Sequence, residues 1–224
     1  MSTNEKRIWD YLTGKGLSPA GAAGLMGNLY AESGLNPQNL QNTYEKKLGY
    51  TDAAYTAAVD SGKYQNFIHD SAGYGLAQWT YWSRKQNLLA FARAAGKSIG
   101  DLDMQLDFLF EELSTGYKSV LSTLKTATAV RTASDSVLLN FERPANQGEA
   151  VKIKRAGYGQ TYYDRYAQPE NGGNSMSNSS LVNYTKLSPN HSGKRTHAID
   201  RITPHCVVGQ CSVETLGNVF APTS

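Results

Sequence analysis

The stretch Ser18–Gly34, with the sequence SPAGAAGLMGNLYAESG, predicts a helix made largely of small and apolar side chains. Ser18 is a suitable N-cap, and Pro19 suits the first helical position because that position needs no backbone N–H donor. The final glycine is a helix stop signal. The prediction leaves one carboxylate, Glu32, in the closing turn of the helix.

The position of Glu32 is typical of a general acid. The negative end of a helix dipole disfavours the ionised carboxylate, and burial beside Leu29, Tyr30 or Leu35 would disfavour it again, so both effects are expected to raise the pKa of Glu32. A carboxyl group that keeps its proton near neutral pH can donate it to a leaving glycosidic oxygen. The alternative is an ordinary surface glutamate near a helix end.

A second informative stretch is Asp70–Thr80, DSAGYGLAQWT. Two glycines flank Tyr74 and allow the backbone to approach a ligand closely, and Gln78 and Trp79 follow directly. An amide can hydrogen-bond sugar hydroxyl and acetamido groups, while aromatic faces cover the apolar side of a pyranose ring. We therefore predict Tyr74, Gln78 and Trp79 as substrate-binding residues. The alternative is that the aromatic side chains of this region form a core.

Three motifs in order carry a resemblance to a known family: Glu32-Ser33-Gly34, then the segment 73–79, then Phe141-Glu142-Arg143-Pro144. Together they resemble the phage tail-type lysozyme domain of tail-tip murein hydrolases and endolysins, over roughly residues 3–167. Goose-type lysozymes and lytic transglycosylases are similar more loosely. The resemblance implies a lysozyme-like helical fold, and cleavage between N-acetylmuramic acid and N-acetylglucosamine. It implies Glu32 as catalytic acid, with Tyr74 and Gln78 in the groove.

The identity of a second catalytic carboxylate is left open. Asp70 is the first candidate because it directly precedes the glycine-flanked segment, and Glu45 and Asp60 follow it in preference. Carboxyl groups about 5 Å apart would indicate a retaining mechanism, and about 6.5 to 9.5 Å an inverting one. If no second carboxylate faces the cleft, the muramic 6-hydroxyl can attack instead, which is lytic transglycosylase chemistry.

Composition agrees with a globular enzyme: 40% of the 224 residues are hydrophobic and 18% are charged. No apolar stretch approaches the ~20 residues of a membrane span, and no apolar signal-peptide region follows Met1. We therefore expect synthesis in a host cytoplasm with release at lysis, or a place in the virion tail. The expected partner is bacterial peptidoglycan, and the oligomeric state is open.

The stretch between residues 143 and 165 has a positive net charge, because it contains five basic residues and two acidic ones. This excess could meet an anionic cell wall, or it could belong to a solvated helix face. Tyrosines interleave with the charges, which is also a feature of nucleic-acid binding. We do not predict a nucleic-acid partner, because the rest of the chain is nearly neutral and contains no nucleic-acid motif.

Periodicity predicts a mainly α domain over residues 1–168 with a small β-hairpin around Tyr74–Trp79. The family resemblance implies that this helical domain is lysozyme-like. Polar residues 169–180 predict a flexible linker, followed by a short, incomplete α/β segment over 181–224. Helices are predicted at about 3–14, 18–33, 82–95, 101–114, 116–125, 130–141 and 147–167.

Residues around His205 resemble the start of the zinc-dependent N-acetylmuramoyl-L-alanine amidase family. The resemblance implies that His205 is a first zinc ligand, while the other ligands would come from later residues than Ser224. We expect a truncated amidase-like segment, with zinc bound only if the site were complete, and no cofactor in the lysozyme domain. One imidazole alone does not form a zinc site. Cys206 and Cys211 could pair or remain free thiols.

These observations together favour a muramidase. Two other classes stay open: a non-catalytic wall-binding module, which would keep Gln78 and the aromatic residues, and a structural tail component that uses the fold as an assembly surface. A wall-binding module would not require Glu32 at a helix C-terminus.

Overall fold

The computed structural model describes residues 3–167, which contain nine α-helices and one short π-helix. The predicted linker, the segment 181–224 and His205 lie outside the described residues. The helices are α1 (Asn4–Gly14), α2 (Pro19–Ser33), α3 (Asn42–Leu48), α4 (Asp52–Asp60), α5 (Trp82–Ala94), α6 (Leu102–Thr115), α7 (Lys118–Thr126), α8 (Val130–Val137) and α9 (Glu149–Tyr166), with the π-helix Leu138–Glu142 directly after α8.

The predicted mainly helical fold is confirmed. The longer helices begin and end close to their predicted positions, because each carries a local start signal or an apolar stripe. For example, the Ser18 hydroxyl accepts a hydrogen bond from the backbone N–H of Gly21 at 2.9 Å. The sequence analysis missed α3 and α4 within residues 38–69. No residue of α3 is fully buried, and only Tyr44 and Leu48 pack half-buried against the core, so the apolar stripe is too short to detect in the sequence.

The predicted β-hairpin is reduced to isolated bridges. Tyr74 and Trp79 exchange backbone hydrogen bonds of 3.2 and 3.0 Å, and Tyr74 also bridges to Leu40. The four residues between this pair form the turn, which includes Gly75 and Gln78 at positive φ. No longer strand forms within residues 3–167. The segment is therefore a tight loop, which we call the 70–80 loop.

Helix α2 lies at the centre of the domain. It packs against α1, α7, α8 and α9, and every residue from Ala20 to Leu29 is buried. A helix that is apolar on all sides requires neighbours on all sides. The small side chains recognised in the sequence therefore mark the helix around which the domain is built.

Three glycines, spaced three residues apart, allow the neighbouring helices to approach α2 closely. A Cβ atom on Gly21 would lie 1.8 Å from the Leu124 carbonyl oxygen in α7, and one on Gly24 would lie 2.6 Å from the Ala133 Cβ in α8. A Cβ atom on Gly27 would lie 2.4 Å from the backbone oxygen of Arg155 in α9. Each glycine thus admits the backbone of a different helix.

We predict that Gly24→Ala lowers the free energy of unfolding by about 1–3 kcal/mol, since the added methyl group must displace α8. Gly157→Ala is the matched control, because Gly157 is also helical but has no atom within 4 Å of an added Cβ. That control is expected to gain about 1 kcal/mol from helix propensity. Thermal unfolding followed by circular dichroism measures both. Equal melting temperatures for the two variants would contradict the close approach at Gly24.

Candidate active site

Two cavities of about 500 and 450 Å³ share the residues Glu32, Gln41 and Gln78, and we call them together the cleft. The first cavity is lined by polar groups at the end of α2 and the start of α3. The second extends toward the start of α5 and the π-helix. The additional lining residues are Ala31, Ser33, Gly34, Asn39, Asn42 and Thr43 in the first cavity, and Ala77, Thr80, Tyr81, Arg84, Glu142 and Pro144 in the second.

Glu32 reaches the cleft because α2 ends directly after it. Gly34 adopts the left-handed conformation at φ 62° and its N–H donates to the Tyr30 carbonyl. The Ser33 hydroxyl donates to the backbone oxygen of Leu76 at 2.9 Å, which ties the helix end to the 70–80 loop. The Glu32 side chain is 20% exposed. These contacts fix the catalytic candidate at the junction of the two cavities.

The nearest charged partner of Glu32 is Arg155, whose Nη2 lies 2.5 Å from Oε1 of Glu32. Arg155 is buried, and its Nη1 donates to Oδ1 of Asn28 at 3.2 Å. The Asn28 amide in turn donates to the backbone oxygen and hydroxyl of Ser134, each at 3.1 Å. A charge-assisted bond of this kind stabilises the ionised carboxylate. The sequence analysis expected apolar neighbours and did not identify this arginine.

Gln78 lies in the cleft with Glu32, as predicted. Its amide nitrogen donates to the backbone oxygen and Oδ1 of Asn39, at 3.0 and 2.9 Å, and to the Gly75 carbonyl at 3.2 Å. These bonds hold the Gln78 side chain in one orientation at positive φ. The role of Gln78 in binding substrate stays a prediction.

Tyr74 and Trp79 are placed in the core and not in the cleft. Both side chains are fully buried. The Tyr74 hydroxyl lies 2.6 Å from the Thr56 hydroxyl, and the Trp79 indole N–H donates to Glu112 at 2.8 Å. Neither ring offers a face to a sugar. The alternative interpretation of this segment, an aromatic core, describes these two residues.

Asp70 is also buried and is not among the residues that line the cleft. Its Oδ1 is 2.5 Å from the Lys85 ammonium, and it accepts hydrogen bonds from the Tyr55 hydroxyl and the Ala72 N–H. Burial lowers the pKa of Lys85, and the Asp70 carboxylate opposes this by stabilising the ammonium charge. The geometry gives Asp70 the role of anchoring the 70–80 loop. It does not place Asp70 as the second carboxylate.

The two further candidates for the second carboxylate are also absent from the lining of the described cleft. Asp60 accepts hydrogen bonds from the Ser98 hydroxyl and the Ile99 N–H, and so caps a neighbouring turn. Glu45 lies in the first turn of α3. Neither shares a cavity with Glu32.

Glu142 is the carboxyl group that accompanies Glu32 in the cleft. Its Oε1 is shielded from solvent and has no hydrogen-bond partner among the described residues. Burial, followed by the negative charge of Glu32, raises the pKa of Glu142 to about 8, although Arg84 and Arg155 act in the opposite direction. The sequence signal for Glu142 is the motif 141–144, which carries the family resemblance but gives no local indication that its glutamate is buried.

Arg84 forms part of the cleft and is held in place by Glu112. Nε and Nη2 of Arg84 donate to the two carboxylate oxygens of Glu112, both at 2.8 Å. The guanidinium carbon also lies 4.8 Å from the centroid of the Phe141 ring, directly before Glu142 in the chain. This bidentate geometry keeps a fixed positive charge beside Glu142.

The basic stretch 143–165 is only partly a free charged surface. Arg155 forms an ion pair with Glu32, and Arg165 forms one with Glu5 of α1. Arg143, which ends the π-helix at φ 49°, is exposed. Two of the five basic residues therefore hold the domain together, and the predicted contact of this stretch with the cell wall rests on the remainder.

Within residues 3–167, no group of three or more His, Cys, Asp or Glu side chains is arranged to hold a metal ion. None of the helices in this part of the chain has the length and apolar character to cross a membrane. The zinc ligand predicted at His205 lies outside the described residues.

The family model described as phage tail lysozyme matches residues 3–166. The chain therefore belongs to the phage tail lysozyme family. Membership supports a lysozyme-like role on peptidoglycan. The matched range ends before residues 181–224, so it gives no support to the amidase resemblance.

We predict that Asp70→Asn acts on stability and not on catalysis, since it leaves the buried Lys85 ammonium without its counter-charge. Breaking a buried ion pair in this way costs about 3–5 kcal/mol. Combining it with Lys85→Met is expected to recover part of the loss. Thermal melts and the activity per folded molecule test this. An Asp70→Asn variant with the parent melting temperature and no activity would indicate that Asp70 is a catalytic residue.

Proposed function

We propose that this member of the phage tail lysozyme family cleaves the glycan strand between N-acetylmuramic acid and N-acetylglucosamine at the cleft around Glu32. The observation that carries the proposal is the presence of two carboxyl groups, Glu32 and Glu142, in one cavity. Their surroundings differ, because Glu32 forms an ion pair with Arg155 and burial raises the pKa of Glu142. Glycoside hydrolysis by a carboxyl pair requires one protonated and one ionised member.

The polar lining of the cleft suits a sugar polymer. Amide side chains and a hydroxyl group line the cavity beside Glu32, and groups of these types both donate and accept hydrogen bonds, although the Gln78 amide nitrogen is already bonded to Asn39 and Gly75. Sugar hydroxyl and acetamido groups have the same dual character. The residues are Asn39, Gln41, Asn42, Thr43 and Gln78. We propose that these groups orient the muramic acid and glucosamine rings.

Two assignments of the catalytic proton follow from the pair. The sequence-based proposal makes Glu32 the general acid, which requires the bound glycan to separate Glu32 from Arg155 so that the carboxyl can be protonated. The contacts support the converse assignment. In it, Glu142 donates the proton to the glycosidic oxygen, while ionised Glu32 stabilises the oxocarbenium-like sugar or activates water. Both assignments make the two carboxyl groups essential.

A lytic transglycosylase is the alternative activity. It forms anhydromuramic ends through attack by the muramic 6-hydroxyl group and needs no second carboxyl to activate water. The presence of Glu142 beside Glu32 favours hydrolysis. Mass spectrometry of the released muropeptides separates the two, because hydrolysis gives reducing muramic ends.

We propose that the enzyme reaches the cell wall either from the host cytoplasm at lysis or from the virion tail.

We predict that Glu32→Gln reduces the rate of wall lysis roughly 10²- to 10⁴-fold, the typical loss when an acid–base group is removed. The variant should fold with lower stability, because the amide oxygen can still accept a hydrogen bond from the buried Arg155 but no longer neutralises its charge. A thermal melt checks that it is folded. Glu45→Gln on α3 is the matched control and should keep the parent rate, since Glu45 lies outside the cleft. Zymography and turbidity assays measure the effect. A folded Glu32→Gln variant with more than half the parent rate would exclude Glu32 from catalysis.

We predict that activity falls as the pH rises through about 8, since the proton held by Glu142 is then lost. Below that pH the carboxyl is protonated and the acid is present. Glu142→Gln should slow wall lysis and remove this alkaline limb from the pH profile of kcat/KM. An unchanged alkaline limb in this variant would assign the titration to another group.

An aryl glycoside whose leaving group needs no protonation separates the two roles. The variant that lacks the general acid should lose much less activity on this substrate than on the wall, because only the protonation step is bypassed. Glu142→Gln is expected to show this recovery and Glu32→Gln is not. Recovery by Glu32→Gln and not by Glu142→Gln would assign the general-acid role to Glu32.

A further inference from the structure

We propose that Tyr81 and Trp82 form an aromatic platform that binds a sugar ring of the glycan strand next to the rings at the cleavage point. This inference rests on the proposed function, because it extends the same cleft along its substrate. Both belong to the aromatic-rich region of the sequence that suits a carbohydrate groove, but neither is among the individual substrate-binding residues predicted from it. The sequence analysis placed the sugar contact on Tyr74 and Trp79, which are buried.

The exposure of these two side chains is unusual for their size. Tyr81 is 62% exposed and Trp82 is 49% exposed, with ring centroids 6.0 Å apart and ring planes at 43°. The other two tryptophans of the chain, Trp9 and Trp79, are 6% and 0% exposed. Large aromatic rings that stay in water side by side indicate a binding surface.

The platform is continuous with the cleft. Tyr81 itself lines the cavity that contains Glu32, Glu142 and Gln78. A glycan strand seated at the two carboxyl groups extends beyond the bond that is cleaved, so its neighbouring rings need contacts outside the polar pocket. A pyranose ring has an apolar face of C–H groups, which an aromatic ring can cover. Position and chemistry therefore both point to a sugar as the occupant.

The backbone that carries the platform is held rigidly. Tyr81 is the N-cap of α5, and its carbonyl accepts a hydrogen bond from the Lys85 N–H at 3.0 Å. Arg84 is fixed by Glu112 and Lys85 by Asp70, so two ion pairs anchor the first turn of α5. A surface that is already ordered loses little entropy when it binds. The Asp70–Lys85 ion pair therefore also positions the first turn of α5.

Tryptophan fluorescence tests the platform independently of cleavage. The probe is glycan strand freed of its stem peptides, titrated into the Glu32→Gln protein so that the strand stays intact. We expect a change in emission and reduced quenching by acrylamide, because Trp82 becomes covered. Adding Trp82→Phe should abolish this response, whereas adding Trp9→Phe should leave it. A full response after Trp82→Phe would overturn the proposal.

Binding affinity provides the second readout. In the same background, Tyr81→Ala and Trp82→Ala should each weaken binding roughly 3- to 10-fold, the effect of losing one aromatic contact. In the active enzyme they should raise KM with little change in kcat. Ile153→Ala is the control, since Ile153 is 58% exposed on α9 and lies outside the cleft lining. Circular dichroism melts confirm that each variant is folded.

The outcomes separate this inference from the proposed cleavage. Wall cleavage by the parent with parent-like binding in both alanine variants would refute the platform and leave the muramidase proposal intact. A Trp82-dependent response without any cleavage by the parent protein would support the platform and refute the catalytic proposal. A parent protein that neither binds nor cleaves the strand would refute both.

Discussion

The close approach of three helices to α2 is the constraint on which the site depends. Gly27 allows the backbone of α9 at Arg155 to lie directly against α2. From that position the Arg155 guanidinium reaches both Asn28 and Glu32 on α2. A larger residue at 27 would move α9 outward and separate the ion pair. The packing of the core and the ion pair in the cleft therefore share one cause, the absence of a side chain at the glycine positions of one helix.

The cleft achieves its electrostatic asymmetry with two arginines in different positions. Arg155 bonds directly to Glu32 and stabilises its negative charge. Arg84 is already bonded through both sides of its fork to Glu112, and so acts on Glu142 only as a nearby charge. Glu142 consequently gains no donor for its shielded Oε1. Glu32 thus has a direct ion pair with Arg155, whereas burial raises the pKa of Glu142.

Local signals in the sequence predicted much of the fold, because they act over a few residues. The N-cap Ser18, the following proline and Gly34 bound α2 correctly and place Glu32 at its end. Gln78 was found because its loop carries its own turn residues. In contrast, Arg155 is 123 positions away from Glu32, and no local pattern connects them. Only the packing of α9 on α2 brings the pair together.

The aromatic residues show why the rest of the site could not be read from composition. Tyr74, Trp79, Tyr81 and Trp82 lie within a few positions of each other, and each has the chemistry to bind a sugar. The first two turn inward and the last two turn outward. Which rings face the solvent is decided by long-range contacts, such as the bond from Trp79 to Glu112 and the anchoring of Lys85 by Asp70.

The π-helix Leu138–Glu142 decides the direction in which the Glu142 side chain leaves the backbone. It is a wider turn than that of an α-helix, closed by the Arg143 N–H donating to the Leu138 carbonyl five residues earlier. Because each residue of an α-helix turns the chain by about 100° and a π-helix turns it by less, an α-helical path over the same five residues would point Glu142 in another direction. The hydrogen-bonding pattern of one backbone turn therefore determines which carboxyl group shares a cavity with Glu32, without any change in the sequence of side chains.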